Sequence, residues 1–343
     1  MRAIANPAAD PARLAPPARD AQAFHAALPG YAPTPVRDLP AVAAELGLAR
    51  VAVKDESERL GLPAFKILGA SWAAERALRE RSATDTLVAA SAGNHGRAVA
   101  RVARMRGLRA RIHLPERAAA ARREAIAAEG AEIVAGGTYE DAVARAASDG
   151  ERPGVLALAD VGDSGPARWV IDGYATLFAE IDEPFDVLLV PAGVGSLAAA
   201  AARHGASTGA RVVAVEPATA ACVAASLAAG RPVRVATPGT SMAGLDCAEV
   251  SAGAWPDLRA GLHGAVAVHD AEAHAAMREL AAAGLRIGDC GAAPLAALRA
   301  LVTQAACARL RAVVGLGEGS RVLLVATEGP TDPGAYAAAV AGG

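Results

Sequence analysis

The run Val187-Leu188-Leu189-Val190-Pro191-Ala192-Gly193-Val194-Gly195-Ser196-Leu197 decides the architecture. Its first half is apolar at every position, which marks a strand covered on both faces. Two glycines and a segment of helical composition follow. Strand, glycine turn and helix in that order form the unit from which parallel sheets are built. The glycines let a ligand approach the backbone closely, and the N–H groups at the helix start favour an anion. A phosphate is the natural guest, with the Ser196 hydroxyl beside it.

The same alternation extends outward in both directions. β-Branched runs recur at Arg50–Lys54, Thr86–Ala90, Arg111–Leu114, Glu132–Ala135, Val155–Leu158, Arg211–Val215, Ala265–Val268 and Arg321–Ala326. Helical segments such as Phe65–Arg81, His95–Met105, Ala118–Glu129 and Ala271–Ala283 lie between them. The spacing predicts an α/β fold of mostly parallel sheets with helices on both faces. Two lobes sharing interleaved segments fit better than two domains in series. Residues 1–30 read as an arm or loose cap, and the proline-rich Tyr31–Pro40 as extended chain.

Composition closes off several classes of function. The 343-residue chain has a net charge of −2 and only 3% aromatic residues. Neither a basic footprint nor a stacking platform for nucleic acid is present. No apolar stretch reaches the length of a membrane span, and the start lacks the pattern of a secretory signal. The expected location is the cytoplasm. Cys222, Cys247, Cys290 and Cys307 form no metal-ligand spacing, so free thiols and no metal site are expected. Of 34 basic residues only Lys54 and Lys66 are lysines. A lysine kept in an arginine background suggests chemistry that needs a primary amine.

Four further segments carry candidate chemistry. Lys66, in Pro63-Ala64-Phe65-Lys66-Ile67-Leu68, has apolar neighbours on both sides, and burial lowers a lysine pKa and makes its amine nucleophilic. The bland alternative is a lysine stem laid along apolar surface with its head in water. Ser91-Ala92-Gly93-Asn94-His95-Gly96 offers N–H groups at a helix start to a carboxylate, or else is a capped turn. Thr327, at the end of the run Leu323–Ala326, stands where ligands gather in α/β sheets. Asp160 follows the run Val155–Leu158 and reads as a base at a strand end or as a turn residue. The loop Gly193–Ser196 with Glu216 also matches a dinucleotide fingerprint, which leaves a nucleotide-dependent oxidoreductase as a rival reading.

Taken together, these segments resemble the pyridoxal-phosphate enzymes of the tryptophan-synthase β-subunit fold, fold type II. Within that group they are most similar to the diaminopropionate ammonia-lyase family. The resemblance is carried by Tyr31–Pro35, Val53–Lys66, Gly93–Arg97, Ala192–Ser196, Met242–Leu245, Gly291–Pro294 and Thr327–Gly329, in the family's order. It implies pyridoxal 5'-phosphate held as a Schiff base on Lys66, with Phe65 near the ring and Asn94 on the ring hydroxyl. It further implies a phosphate held by Ala192, Gly193, Val194, Gly195 and Ser196, with Gly244 in the cofactor site and Thr327 at the pyridine nitrogen. Ser91, Ala92, Gly93 and His95 would receive the substrate carboxylate, and Asp160 is the implied base for an L-amino acid.

The implied activity is β-elimination of ammonia from a small L-amino acid, most naturally 2,3-diaminopropionate, to pyruvate, by a homodimer. Serine or threonine dehydration, β-replacement, and cofactor binding with degraded catalysis stay open. Residues 1–70 are expected to form the arm and part of the large domain, 71–185 the small domain, and 186–343 the rest of the large cofactor-binding domain. Ala92 stands where the family carries an aspartate used on the D-substrate. Gly288-Asp289-Cys290-Gly291 replaces the family's Gly-Glu-Ser-Gly.

Overall fold

The computed structural model describes residues 2–163 and 165–342. Eleven strands are present among them: β1 (Arg2–Ala5), β2 (Val36–Asp38), β3 (Arg50–Asp55), β4 (Thr86–Ala90), β5 (Arg109–Leu114), β6 (Glu132–Ala135), β7 (Val155–Ala157), β8 (Val187–Pro191), β9 (Arg211–Pro217), β10 (Leu262–Val268) and β11 (Arg321–Ala326). They form two sheets. Seven strands run in the order β1-β10-β9-β8-β11-β3-β2, and four in the order β6-β5-β4-β7. Every pair is parallel except the two edges, β1 on β10 and β2 on β3. The expected fold class, two-lobed and mostly parallel with helices on both faces, is therefore what the chain adopts.

The unbroken apolar run of β8 has its physical explanation in the layers. Leu188 and Val190 pack into one core, with Leu197 and Ala198–Ala201 of the following helix. Val187 and Leu189 pack into a second core, with Leu295, Leu298 and Met277 from the helices on the opposite face. Side chains alternate across a strand, so both faces must be apolar when both are covered.

The N-terminal residues depart from the expected loose cap. Arg2–Ala5 adds an antiparallel strand to the edge of β10, and Arg19–Ala26 forms a helix. Four residues are too short to show a period. Their pairing is supplied by the open edge of β10 rather than by their own pattern.

The helices Lys66–Glu80 and Gly165–Ala179 cross closely. A Cβ at Gly173 would stand 2.6 Å from the Leu68 carbonyl, and one at Gly69 would stand 2.6 Å from the Tyr174 ring. This approach brings Tyr174 over the start of the first helix.

Lys54, the second lysine, belongs to a buried ionic cluster. Its Nζ donates to Glu180 Oε2 and to the Thr34 carbonyl, both at 2.7 Å. Arg59 donates to Glu180 Oε1 at 2.6 Å and to Glu56, and Tyr31 donates its hydroxyl to the same Glu180. The cluster pins the extended Tyr31–Thr34 segment to β3 and to the end of the long helix. Burial alone would raise the Glu180 carboxyl, but Arg59 and Lys54 hold it down at about 2. Replacing Glu180 by alanine leaves the buried Lys54 without a carboxylate and Arg59 with Glu56 alone, and is expected to cost about 3–5 kcal/mol. Chemical denaturation at neutral pH measures this. Because the folded pKa is depressed, the contribution is present above the unfolded carboxyl value and fades as pH falls from about 4.5 toward 2. The wild type should therefore lose more stability across that interval than the variant.

Candidate active site

The site lies where the carboxyl ends of parallel strands from both sheets face one another, the usual place for ligands in open α/β sheets. Ser91–His95 follows β4, Asp160 follows β7, Gly193–Ser196 follows β8 and Thr327 follows β11. Lys66 opens the helix after β3. The chain order thus delivers all the expected residues to one cleft, from segments up to 261 positions apart.

Lys66 Nζ donates to Asp160 Oδ2 at 3.0 Å, and its side chain is 22% exposed. The amine lies over two rings, 5.6 Å from the Phe65 centroid and 5.9 Å from that of Tyr174. Those rings stack obliquely at 4.7 Å. Sequence reasoning expected burial to leave this amine largely uncharged, and the structure reverses that. Burial does oppose the ammonium form, but the Asp160 carboxylate that the amine donates to favours it, and the pKa is held above the ordinary lysine value. Asp160 shows the complement. Burial pushes its carboxyl up, yet His95 and Lys66 hold it well below the usual carboxylate range.

His95 is buried, with Nε2 2.8 Å from the Leu158 carbonyl and Nδ1 3.9 Å from Asp160 Oδ2. A carbonyl can only accept, so Nε2 carries a proton and the other nitrogen faces Asp160. Ser91 Oγ accepts from the Gly93 N–H at 3.2 Å, and Gly93 precedes the helix Asn94–Met105. Ala92 is partly buried against the core. Asn94 donates from Nδ2 to Glu328 Oε2 at 2.5 Å, which spans the cleft between the lobes.

Opposite, Gly195 takes φ = +96° at the start of the helix Ser196–Thr208, a conformation that favours glycine. A Cβ at Gly193 would stand 2.9 Å from Cys247 Sγ and 3.1 Å from the Gly244 carbonyl, so the Met242–Leu245 segment lies directly on the loop. Among the described residues, no backbone carbonyl accepts from the N–H groups of Gly193, Val194, Gly195 or Ser196. Ser196 donates its hydroxyl to the Asp160 carbonyl at 3.2 Å, which ties the loop to the base.

The donor set fits pyridoxal phosphate. The glycine loop ends in a helix start whose N–H groups no backbone carbonyl takes up among the described residues, a place where a phosphate binds well. Thr327 Oγ1 is buried and lacks a hydrogen-bond partner, as does the Tyr174 hydroxyl. A buried hydroxyl without a partner carries a penalty that a ligand's ring nitrogen would relieve. Glu216, by contrast, is fully engaged. It accepts from the Val223 and Ala224 N–H groups at 2.6 and 2.8 Å and is buried. It has no oxygen to spare for a ribose, which removes the support for a dinucleotide.

Three residues near the site were not singled out from the sequence. Tyr174 sits in an apolar helix and gives no motif. Cys247 gains its place only through the fold. Glu328 was read as part of a matching motif, but nothing in its spacing pointed to a partner at Asn94.

The pyridoxal-phosphate dependent enzyme family matches residues 27–328. Diaminopropionate ammonia-lyases of Salmonella typhimurium and Escherichia coli K12 are each 32% identical over 92% of this chain and 89% of theirs. The crystal structure of the Escherichia coli diaminopropionate ammonia-lyase in complex with an aminoacrylate-PLP azomethine reaction intermediate superposes with a TM-score of 0.90. That match is at 29% identity and covers 98% of this chain and 96% of that one. Maize serine racemase follows the same fold, with a TM-score of 0.80 at 27% identity over 96% of this chain and 95% of its own.

Proposed function

The chain belongs to the diaminopropionate ammonia-lyase family of the pyridoxal-phosphate dependent enzymes, and we propose that it eliminates ammonia from L-2,3-diaminopropionate, the remaining enamine taking up water to give pyruvate and a second ammonia. The observation that carries this reading is the Lys66–Asp160 pair at 3.0 Å, tied by the Ser196 hydroxyl to a glycine loop whose N–H groups no backbone carbonyl takes up among the described residues. Bound pyridoxal phosphate supplies an electron sink that lets a substrate Cα lose its proton and its β-amino group depart.

The chain's own residues supply the rest. Gly193 to Ser196 anchor the phosphate, Asn94 addresses the ring oxygen and Thr327 the ring nitrogen. A neutral hydroxyl at that nitrogen leaves the sink modest, which suits elimination better than transamination. The N–H groups at Gly93 and the helix start behind it, with Ser91 and His95, receive the substrate carboxylate. Lys66 and Asp160 share the task of taking the α-proton and returning it to the departing nitrogen. Phe65 and Tyr174 flank the amine on one side and leave it open to the cleft. His95, held by the Leu158 carbonyl, keeps Asp160 ionised.

Asp160 is the one carboxylate in this arrangement placed to act as a base. Ala92, in the turn before the helix Asn94–Met105, offers none. The L-isomer should therefore be turned over about 100-fold or more faster than the D-isomer, since a positioned base is worth roughly 10²–10⁴ in rate. A panel of L- and D-diaminopropionate, serine and threonine, scored by keto-acid and ammonia release, tests both substrate and handedness. Equal rates on the two isomers would remove Asp160 as the group that sets the handedness of the reaction. Silence across the panel with cofactor retained would overturn the enzymatic reading.

A homodimer in the cytoplasm completes the proposal, and sedimentation of the holoenzyme measures the dimer. Among the described residues, no single helix is long and apolar enough to cross a membrane.

A further inference from the structure

Glu328 stands in the Thr327-Glu328-Gly329 run after β11, and the reaction as described gives its carboxyl nothing to do. Three segments close on it. Asn94 Nδ2 donates to its Oε2 from the opposite lobe at 2.5 Å. Asp289 and Cys290, at the start of the helix Asp289–Thr303, bring a carboxylate oxygen and a thiol within 4.8 Å of it and of each other. Gly288 donates its N–H to the Glu328 carbonyl at 3.0 Å, and a Cβ there would stand 3.5 Å from Oε1. Ala64 pairs with Glu328 by a β-bridge, which fixes its backbone two residues from Lys66.

An asparagine amide has two ends of nearly the same shape, one that donates and one that accepts. The group opposite decides which end faces it. A carboxylate accepts only, so an ionised Glu328 turns the Asn94 nitrogen toward β11. That nitrogen has a second N–H, free to meet the ring oxygen of the cofactor. A protonated Glu328 has a hydroxyl to donate, and the amide is then free to turn its oxygen toward it.

We infer that Glu328 is a positioning residue, whose carboxylate selects the end of the Asn94 amide that faces the cofactor ring oxygen. The inference rests on the cofactor placement proposed above.

Burial pushes the Glu328 carboxyl up to about 7, with Asp289 adding to the push and Asn94, Cys290 and Arg122 opposing it. Cys290 is itself held well above the ordinary thiol value by burial, and Asp289 above the ordinary carboxyl value. The carboxylate forms as pH rises through about 7, so the fixed amide belongs to the alkaline side of that midpoint.

The test uses substrate-free holoenzyme and reads the visible absorption and fluorescence of the bound cofactor between pH 6 and 8.5. The wild type is expected to show a spectral change with a midpoint near 7. Glu328→Gln keeps the shape and cannot titrate, so its spectrum should stay constant across the interval. Asn94→Ser should also flatten the change while Glu328 remains. Cofactor affinity should fall about 2- to 10-fold in Glu328→Gln, the worth of one hydrogen bond. A spectrum that does not vary with pH in the wild type would overturn the inference alone. An unchanged midpoint in Glu328→Gln would do the same. Failure of the wild type to take up cofactor would overturn this inference together with the functional reading beneath it.

Discussion

Replacing Lys66 by alanine is expected to lower turnover of L-diaminopropionate by about 10³-fold or more, because the variant loses its nucleophilic amine and a positioned proton carrier together. The fold should survive. The side chain is already partly open to the cleft, and the helix Lys66–Glu80 gains a residue of high helix propensity. Two measurements check this. Steady-state release of pyruvate and ammonia gives the rate. Borohydride treatment followed by denaturation shows whether the cofactor is covalently retained, and retention is expected in the wild type and absent in the variant. Full turnover in Lys66→Ala would sink the assignment of the amine and with it the mechanism.

Asp160→Asn is expected to move two observables in opposite directions. Turnover of the L-isomer should fall by roughly 10²–10⁴, the usual worth of a general base. Uptake of cofactor by the stripped protein should become faster near neutral pH. The sign follows from the pair itself. Lys66 has a raised pKa because burial, which opposes its charge, is outweighed with the Asp160 carboxylate beside it. Only the unprotonated amine condenses with an aldehyde, so in the wild type uptake should accelerate as pH rises. Removing the carboxylate leaves burial with less opposition, the pKa falls, and the free amine becomes available at lower pH. Stopped-flow uptake from pH 6 to 9 resolves the shift. A variant whose uptake profile matches the wild type would show that Asp160 does not govern the state of Lys66.

Much of this was legible in the sequence, for identifiable reasons. Thr86–Ala90 and Arg321–Ala326 were readable to the residue because strands buried on both faces are apolar after their first residue and flanked by polar turns. The cleft residues were readable because each follows such a strand, and parallel topology puts all those ends on one side. Arg2–Ala5 was not readable as a strand, since its pairing depends on the edge of β10. The charge state of Lys66 is not readable from its own segment for a similar reason. Its neighbours in sequence are apolar, but the group that decides its protonation lies 94 residues away and arrives through the other sheet. The amide of Asn94 and the carboxyl of Glu328, 234 positions apart, illustrate the same limit. Local pattern predicts what a segment is, and only the assembled fold predicts which charges it meets.

The two lysines carry one last consequence. Lys54 is fully enclosed by its salt bridge and Lys66 opens only into the cleft, so the exterior presents arginine as its basic side chain. Guanidinium groups do not form stable imines with aldehydes under mild conditions. Acylating dyes, glutaraldehyde and resin-bound esters should accordingly find no lysine handle on the outer surface of the folded protein. Their uptake at Lys66 would report how wide the entrance stands, and added amino acid should shield it.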